Sequence, residues 1–563
     1  MKSLAIGIDL GTTNSLIAVW QDGKSKLIPN SLGQLMTPSA VSLDEDGSLL
    51  IGAAAAARRV THPQRTAVAF KRFMGSEHRF ELGDGHSYTP TELSSFVLAS
   101  LKQDAESFLG QEINDVVISV PAYFNDEQRK HTAFAAELAG LNAVRLINEP
   151  TAAALAYGLH ENSDRLSLVF DLGGGTFDVT LLEYVGPVIE VRSSAGDNFL
   201  GGEDFTKAIA NECLEHWGLK ESDIDPASRA LLLAKAEQLK CGPVHQRGKL
   251  CWTWQDKEFE WSMPEAIART WQPLLDRLRQ PVERALRDSK INPRALDNVV
   301  MVGGSTRLWE AQQLVSQLFG KMPLRHLDPD TVVAQGAAVQ AACRLRDEAV
   351  QEIIMTDVCP YTLGIAISSE VNGERMSGLM SPIIERNTTI PASREQYYST
   401  TRDDQTSVNV LVFQGERPRV RDNVFIGDIT VPVPPAPAGE ECIAVRFSYN
   451  VDGLLEVDVT VQSTGEKIER LIDRSPNGLT ESQKQASRER LSAVKIHPRD
   501  EMPNRTLRAR LESAYAQTLG QEREAVMHWL NQFDAVLSRQ DGAEIRRVRE
   551  RLESELAESI QFS

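Results

Sequence analysis

The chain is short of positive charge. Its 60 lysines and arginines face 78 acidic residues, and the formal net charge is -18. That balance repels phosphate backbones and anionic lipid headgroups, which excludes nucleic acid and membrane as the main partner. A single nucleotide stays compatible, because loops and a metal can hold it locally. Cysteine is sparse and unpaired in pattern: Cys213, Cys241, Cys251, Cys343, Cys359 and Cys442 include no C-x-x-C. This argues against a zinc site or a disulfide framework and for reduced thiols. The apolar run from Leu4 to Ile8 is broken by Asp9. It is too short for the core of a signal peptide or for a membrane span, so the expectation is a cytoplasmic protein. Also missing is a G-x-x-x-x-G-K-[ST] sequence, which excludes a P-loop enzyme.

The 563 residues exceed what one hydrophobic core holds, about 250–300. Up to about Arg346, short β-branched runs alternate with longer helical patterns. Ser3–Leu10, Val116–Val120, Leu166–Leu172 and Asn298–Val302 read as strands; Asp126–Ala139, Thr151–Leu159 and Arg307–Phe319 read as helices. This is an α/β region large enough for two lobes. Gln351–Asp357 is a short apolar segment between charges, either a buried strand or a linker that docks and undocks. Beyond Val358 the texture turns all-β, with strands at Tyr361–Ser368, Tyr397–Thr400, Ser407–Phe413, Ala444–Tyr449 and Leu454–Val461. Turns at Asn372–Gly373, Asp403–Asp404 and Asp452–Gly453 and a Pro-rich loop at Pro432–Gly439 separate them. From Leu479 the pattern is helical. Thr480 and Gln483 form a capping-box signature, and Val526, Trp529, Leu530, Phe533, Val536 and Leu537 make an apolar stripe expected to be bundle core.

Two segments share one order. Gly7-Ile-Asp-Leu-Gly-Thr-Thr-Asn14 and Val169-Phe-Asp-Leu-Gly-Gly-Gly-Thr-Phe-Asp178 each run apolar strand, aspartate, leucine, glycine turn, threonine. A strand fixes the carboxylate at its end, where it can hold Mg²⁺ through water. Glycines let backbone N–H groups approach phosphate oxygens, and threonine hydroxyls add donors. One such turn means little, but two copies can clamp one polyphosphate from opposite sides. A third turn, Val302-Gly-Gly-Ser-Thr-Arg307, follows an apolar strand and opens a helix, suiting ribose or adenine contact.

At these residues the chain resembles the Hsp70 family over nearly its full length. Further matches are Val120-Pro-Ala-Tyr-Phe-Asn125, Ile147-Asn-Glu-Pro-Thr-Ala-Ala-Ala-Leu-Ala-Tyr-Gly158, Gly201-Gly-Glu-Asp-Phe205, Gly336-Ala-Ala-Val-Gln340 and Gln414-Gly-Glu-Arg417. The short helical end is most similar to the bacterial HscC-type branch. The resemblance implies a multidomain chain: a two-lobed, actin-like α/β ATPase domain (a duplicated ribonuclease H-like fold) at 1–350, a linker at 351–357, a β-sandwich peptide-binding domain at 358–474 and an α-helical lid at 475–563. It implies ATP/ADP and Mg²⁺ as cofactors, with K⁺ as a further ion. Its partners would be unfolded or extended polypeptides and a J-domain co-chaperone, and its state monomeric.

The resemblance carries over residue by residue. Asp9, Glu149, Asp171 and Thr176 would organise catalysis together with Lys71, whose own sequence context reads only as a solvated charge pair with Arg72. Mg²⁺ would sit on Asp9, Asp171 and Asp178, mostly through water. Nucleotide and phosphates would meet Gly11, Thr12, Thr13, Gly173, Gly174, Gly175, Gly201, Gly202, Glu237, Lys240, Gly303, Gly304, Ser305, Arg307 and Asp330. Pro121 and Arg129 match a relay that reports nucleotide state, although Pro121 also reads as a strand terminator. Ile353, Ile354, Met355 and Asp357 match the docking linker. Arg145 and Asp357 match positions that meet the J-domain, with surface salt bridging as the alternative for Arg145. Ile365, Ser368, Tyr398, Thr401, Val408 and Val410 match the peptide pocket and arch, against a plain strand-core reading.

Two departures from the family pattern stand out. Ser368 and Thr401 replace an apolar arch, and at roughly 25 cal/mol per Å² this weakens or redirects peptide binding by about 1–2 kcal/mol. The helix stretch Lys235–Lys240 offers Glu237 and Gln238 toward adenine where the family has a guanidinium, a contact of about 0.5–2 kcal/mol; Lys240 is the substitute. A looser adenine site and fast exchange follow. A sugar or acetate kinase, or a filament-forming actin relative, could use paired phosphate loops but would not explain the β module and helical end.

Overall fold

The computed structural model describes residues 4–158, 164–186, 188–242, 248–255, 257–262, 266–324, 327–350, 354–371, 374–450, 455–471, 481–492, 502–539 and 542–562. Ile353, Leu159, the turns at 372–373 and 452–453, Leu454 and Thr480 lie outside the described residues.

Two sheets of one plan form the first half. In the first, Ala5–Asp9 pairs antiparallel with Asn14–Gln21 and parallel with Asp115–Val120, which in turn runs parallel to Asn142–Asn148. In the second, Arg165–Leu172 pairs antiparallel with Phe177–Val185 and parallel with Asn298–Val302. Each therefore has a central strand with an aspartate in its last two residues, a hairpin returning from a glycine turn, and a parallel neighbour. The β-branched runs make central strands because both faces of each sheet are covered by helices and the strands lie in buried apolar clusters.

The lobes meet through helices Glu149–Gly158 and Val332–Arg344. A Cβ on Gly336 would lie 1.7 Å from the carbonyl oxygen of Ala152. Only glycine lets the two helix backbones touch there, which accounts for the Gly336–Gln340 sequence. The third glycine turn is a 3-10 turn at Gly304–Arg307, and the helix after it runs Trp309–Phe319, two residues later than the sequence pattern suggests.

Residues Leu363–Leu471 build two four-stranded antiparallel sheets over one apolar core. The strands Glu374–Ile384, Val424–Pro432 and Lys467–Leu471 were not legible in the sequence. The strand read at Tyr397–Thr400 runs Ala392–Ser399; its polar stretch Ser393–Gln396 is exposed on both faces and so shows no alternation. Ile354–Val358 joins the second lobe's sheet parallel to Val188–Asp197, with Met355 opposite Ile189, and Thr389–Ile390 pairs antiparallel on its other side.

The helices Met502–Gln517, Gly520–Arg539 and Gly542–Phe562 form a bundle whose core includes Val526, Phe533 and Val536, with Trp529, Leu530 and Leu537 packed at its margin. Met502–Gln517 lies against helix Ala53–Thr61 of the first lobe rather than over the two-sheet unit. Arg505 reaches Asp44 at 3.2 Å, and Ser487 meets Glu92 at 3.0 Å.

Candidate functional site

The two glycine turns face each other across the lobes. A Cβ on Gly174 would fall 1.9 Å from the Thr13 hydroxyl, so the loops are in contact and enclose a cavity of about 490 Å³. Eighteen of the residues singled out by sequence line it: Asp9, Gly11, Thr12, Thr13, Lys71, Glu149, Asp171, Gly173, Gly174, Thr176, Gly202, Glu237, Lys240, Gly303, Gly304, Ser305, Arg307 and Asp330. Gly175, Gly201 and Asp178 stand just behind that wall. A volume of this order suits a small polar ligand held on several sides.

The floor is crowded with buried negative charge. Glu149, Asp171 and Asp178 are buried and Asp9 is half-buried. Lys71, 2% exposed, is bonded to Glu149 at 2.6 Å. Burial, and then the Glu149 charge, pushes Asp9 up to about 7 and Asp178 up to about 8; the same causes raise Asp171 well above the ordinary carboxylate range. Ser119 donates to Asp9 at 2.7 Å. Asp171 Oδ2 and Asp178 Oδ1 are buried without a hydrogen-bond partner among the described residues. Four carboxylates, one ammonium and two unsatisfied oxygens make a donor set that fits a hard, oxygen-seeking divalent cation such as Mg²⁺. Asp9 and Asp171 from the cavity wall and Asp178 behind them would hold it, and it would neutralise phosphate charge.

Several contributors escaped the sequence reading. Arg72, buried beside Lys71, donates to the Gly175 carbonyl at 2.8 Å and pairs with Asp204, tying the second glycine loop to the first lobe. A short K-R pair gives no sign of this. Arg59 bonds Glu203 at 3.1 Å and links the lobes beside the mouth. On the opposite wall, Arg307 is held by Asp330 at 2.7 Å and Asp328 at 2.9 Å. Helix Pro226–Cys241 offers Glu237, Lys240 and Cys241 to the cavity, whereas Gln238 is exposed and does not line it. Lys240 is not free to stack on a base: it bonds the Gly202 carbonyl at 3.0 Å and Glu237 at 2.6 Å.

Outside the cavity, Pro121 begins a turn whose carbonyls are capped by Arg129, which donates to Ala122, Phe124 and the Asn148 side chain. Asn148 in turn donates to Asp357 at 2.6 Å. Arg145 and Met355 line the same small cleft as Asp357. Ile354 pairs with Val188 in the docked strand, but its side chain is exposed, the residue being 58% accessible. Ile365 and Val410, assigned to a peptide pocket, are instead core of the two-sheet unit, at 3% and 2% exposure. Their side chains alternate inward with the strand pleat, and this is the reason. Tyr398 and Val408 sit at the core margin, and Ser368 and Thr401 are exposed.

The sequence matches the family described as Hsp70 protein over residues 5–561. The chaperone protein DnaK of Thermotoga neapolitana is 40% identical over 492 residues, covering 83% of this chain and 80% of that protein. The chaperone protein DnaK of Thermosipho africanus is 40% identical over 495 residues, covering 83% and 79%.

Without a cation, folding takes up protons at these carboxylates that the unfolded chain, near 3.8, would release. A raised folded pKa means stability is largest below the unfolded value and is lost as pH rises toward the folded one. Calorimetry of the EDTA-treated protein should therefore show melting falling between about pH 4 and 8, with the added stability from Mg-ADP widening over the same window. Asp171→Asn should flatten that dependence and lower turnover by about 10²–10³-fold.

Proposed function

The chain belongs to the Hsp70 family, and from that premise we propose that its ATP hydrolysis controls the capture and release of extended segments of unfolded polypeptide. Members of the family are ATPase chaperones, and this chain is one. The observation that carries the coupling is the strand Ile354–Val358, which adds to the second lobe's sheet in register with Val188–Glu190 while Asp357 bonds Asn148. Asn148 adjoins Glu149, so the nucleotide site and the start of the two-sheet unit share a helix N-terminus.

On this reading residues 1–350 are the nucleotide-binding domain, 351–357 the linker, 358–474 the β-sandwich for peptide and 475–563 the helical lid, of an HscC-type member working in the cytoplasm. Asp9, Asp171 and Asp178 would hold Mg²⁺, with K⁺ beside it, and Lys71 would place its ammonium on the γ-phosphate. Glu149 and Thr176 would orient the attacking water. Catalysis then comes from positioning and charge neutralisation, since phosphoryl transfer needs little covalent help. Arg145 and Asp357 would receive a J-domain. Among the described residues no helix is long and apolar enough to cross a membrane.

Single-turnover hydrolysis measured alone, with a peptide library and with a J-domain protein tests the reading. Peptide and J-domain protein together should speed the step, and the absence of any response would sink the proposal. Met355→Asp, which puts a charge opposite Ile189, should abolish that response and leave basal hydrolysis in place.

Two finer properties follow from the departures. ADP should leave fast without an exchange factor, because the Pro226–Cys241 helix ends on Cys241 and brings no guanidinium to the cavity. Stopped-flow release should be fast in the wild type and slowed about 2- to 30-fold by Cys241→Arg, for a contact of about 0.5–2 kcal/mol. A slow wild-type release would contradict this. Exposed, polar Ser368 and Thr401 should give a less apolar peptide preference. On peptide arrays Ser368→Met should strengthen apolar peptides by about 5- to 30-fold, for about 1–2 kcal/mol of buried area, and an unchanged profile would defeat the idea.

A further inference from the structure

The turn at Ala122–Tyr123 is gripped from three sides. The Tyr123 hydroxyl accepts from Arg284 at 2.9 Å, and its carbonyl accepts from the Asn198 amide at 3.0 Å. The third grip comes from the two-sheet unit. Tyr361, just past the linker strand, donates its hydroxyl to the same Tyr123 carbonyl at 2.7 Å, and the two rings pack with centroids 4.4 Å apart. Burial holds the Tyr361 phenol well above its ordinary pKa, so the hydroxyl keeps its proton and remains a donor. On its other side the turn adjoins Asp178: both flank Gly196, where an added Cβ would fall 2.4 Å from Asp178 Oδ1 and 3.0 Å from the Tyr123 Cβ. Asp178, 1% exposed, is held off the cavity, which Asp9, Glu149 and Asp171 line and Asp178 does not.

We infer that Tyr361 is a positioning residue for hydrolysis: while the two-sheet unit is docked, its hydroxyl pins the Tyr123 turn and so holds the Asp178 carboxylate back from the reacting water. When the unit leaves, one of the two donors to the Tyr123 carbonyl leaves with it. The turn loosens, and Asp178 gains access to the cavity. Peptide-driven undocking is thus converted into faster cleavage by a single side chain of the peptide-binding half. The inference rests on the coupled-ATPase reading above.

Tyr361→Phe keeps the ring packing and removes only the hydroxyl. In the full chain it should raise the basal single-turnover rate about fivefold, the worth of one net hydrogen bond, with the ATP KM unchanged and ATP-triggered peptide release as fast as in the wild type. Asn198→Ala removes the other donor to the same carbonyl, this one supplied by the ATPase half itself, and should shift the rate in the same direction. An unchanged or lower rate in Tyr361→Phe would overturn the inference. So would a higher rate accompanied by equally impaired ATP-triggered release, since that is loss of docking alone. The wild-type protein in the same assay separates the cases: if ATP triggers no peptide release there, the coupled-ATPase reading itself has failed.

Discussion

Four carboxylates crowded around one buried ammonium are the constraint on which the rest of the molecule turns. Burying a charge without a partner is costly, and Lys71 can neutralise only one of Asp9, Glu149, Asp171 and Asp178. The protein places these groups by putting each at an element's end, two on central strands of duplicated sheets, one on the returning hairpin and one opening a helix. Their backbones are fixed by the sheets and by the helix junction at Gly336. The unmet charge therefore has to be answered from outside, by protons or by a cation with its nucleotide. The site is tense when empty and relaxed when filled, and the same charge count changes again when a phosphate is cleaved.

That change has a short route out. Residues 148 and 149 are neighbours with opposite duties. Glu149 faces Lys71 and the cavity; Asn148 faces Arg129 on one side and Asp357 on the other. Asp357 is half-buried, and desolvation raises its pKa, so it depends on the Asn148 amide and the Val358 N–H for compensation. A small rotation at the start of this helix alters the environment of that carboxylate in the linker. Coupling of this kind is reciprocal by thermodynamic necessity: what the docked unit does to Asn148 is felt at Glu149.

How much of this could be read from the sequence depended on distance along the chain. The phosphate turns were legible because a strand, an aspartate, glycines and a threonine are local and repeat. Lys71 was recovered by resemblance alone, and its neighbour Arg72 was missed because its partners, Gly175 and Asp204, lie more than a hundred residues away. Gln238 was expected at the base wall and Cys241 was not, since a one-turn ambiguity along a helix decides which side chain faces in. Ile365 and Val410 matched pocket positions yet point into the core. The pleat fixes that, and a single sequence does not say which face is covered. The linker segment was left open between strand and hinge, and it is a strand formed on another domain's edge, which no local pattern can announce.

The helical bundle illustrates why such docking can be reversed. Its own core, around Leu507, Leu511, Phe533 and Leu552, is apolar and fully buried, so it holds together as a unit. Its contacts with the ATPase half include polar, part-exposed ones: Arg505 with Asp44 of the first lobe, and Lys235 of the second lobe with the Gln517 carbonyl at 3.4 Å. Half-exposed pairs of this sort each contribute little, about 0–1 kcal/mol, and water replaces them at small loss. The two-sheet unit docks in the same manner, through Arg386 on Asp288 and Asn387 on Ser194 and Asp288. Strong cores joined by weak polar seams give a molecule whose parts stay folded while their arrangement is set by small free energies. A change of charge at the crowded carboxylates is large on that scale, and it therefore decides where the seams are closed.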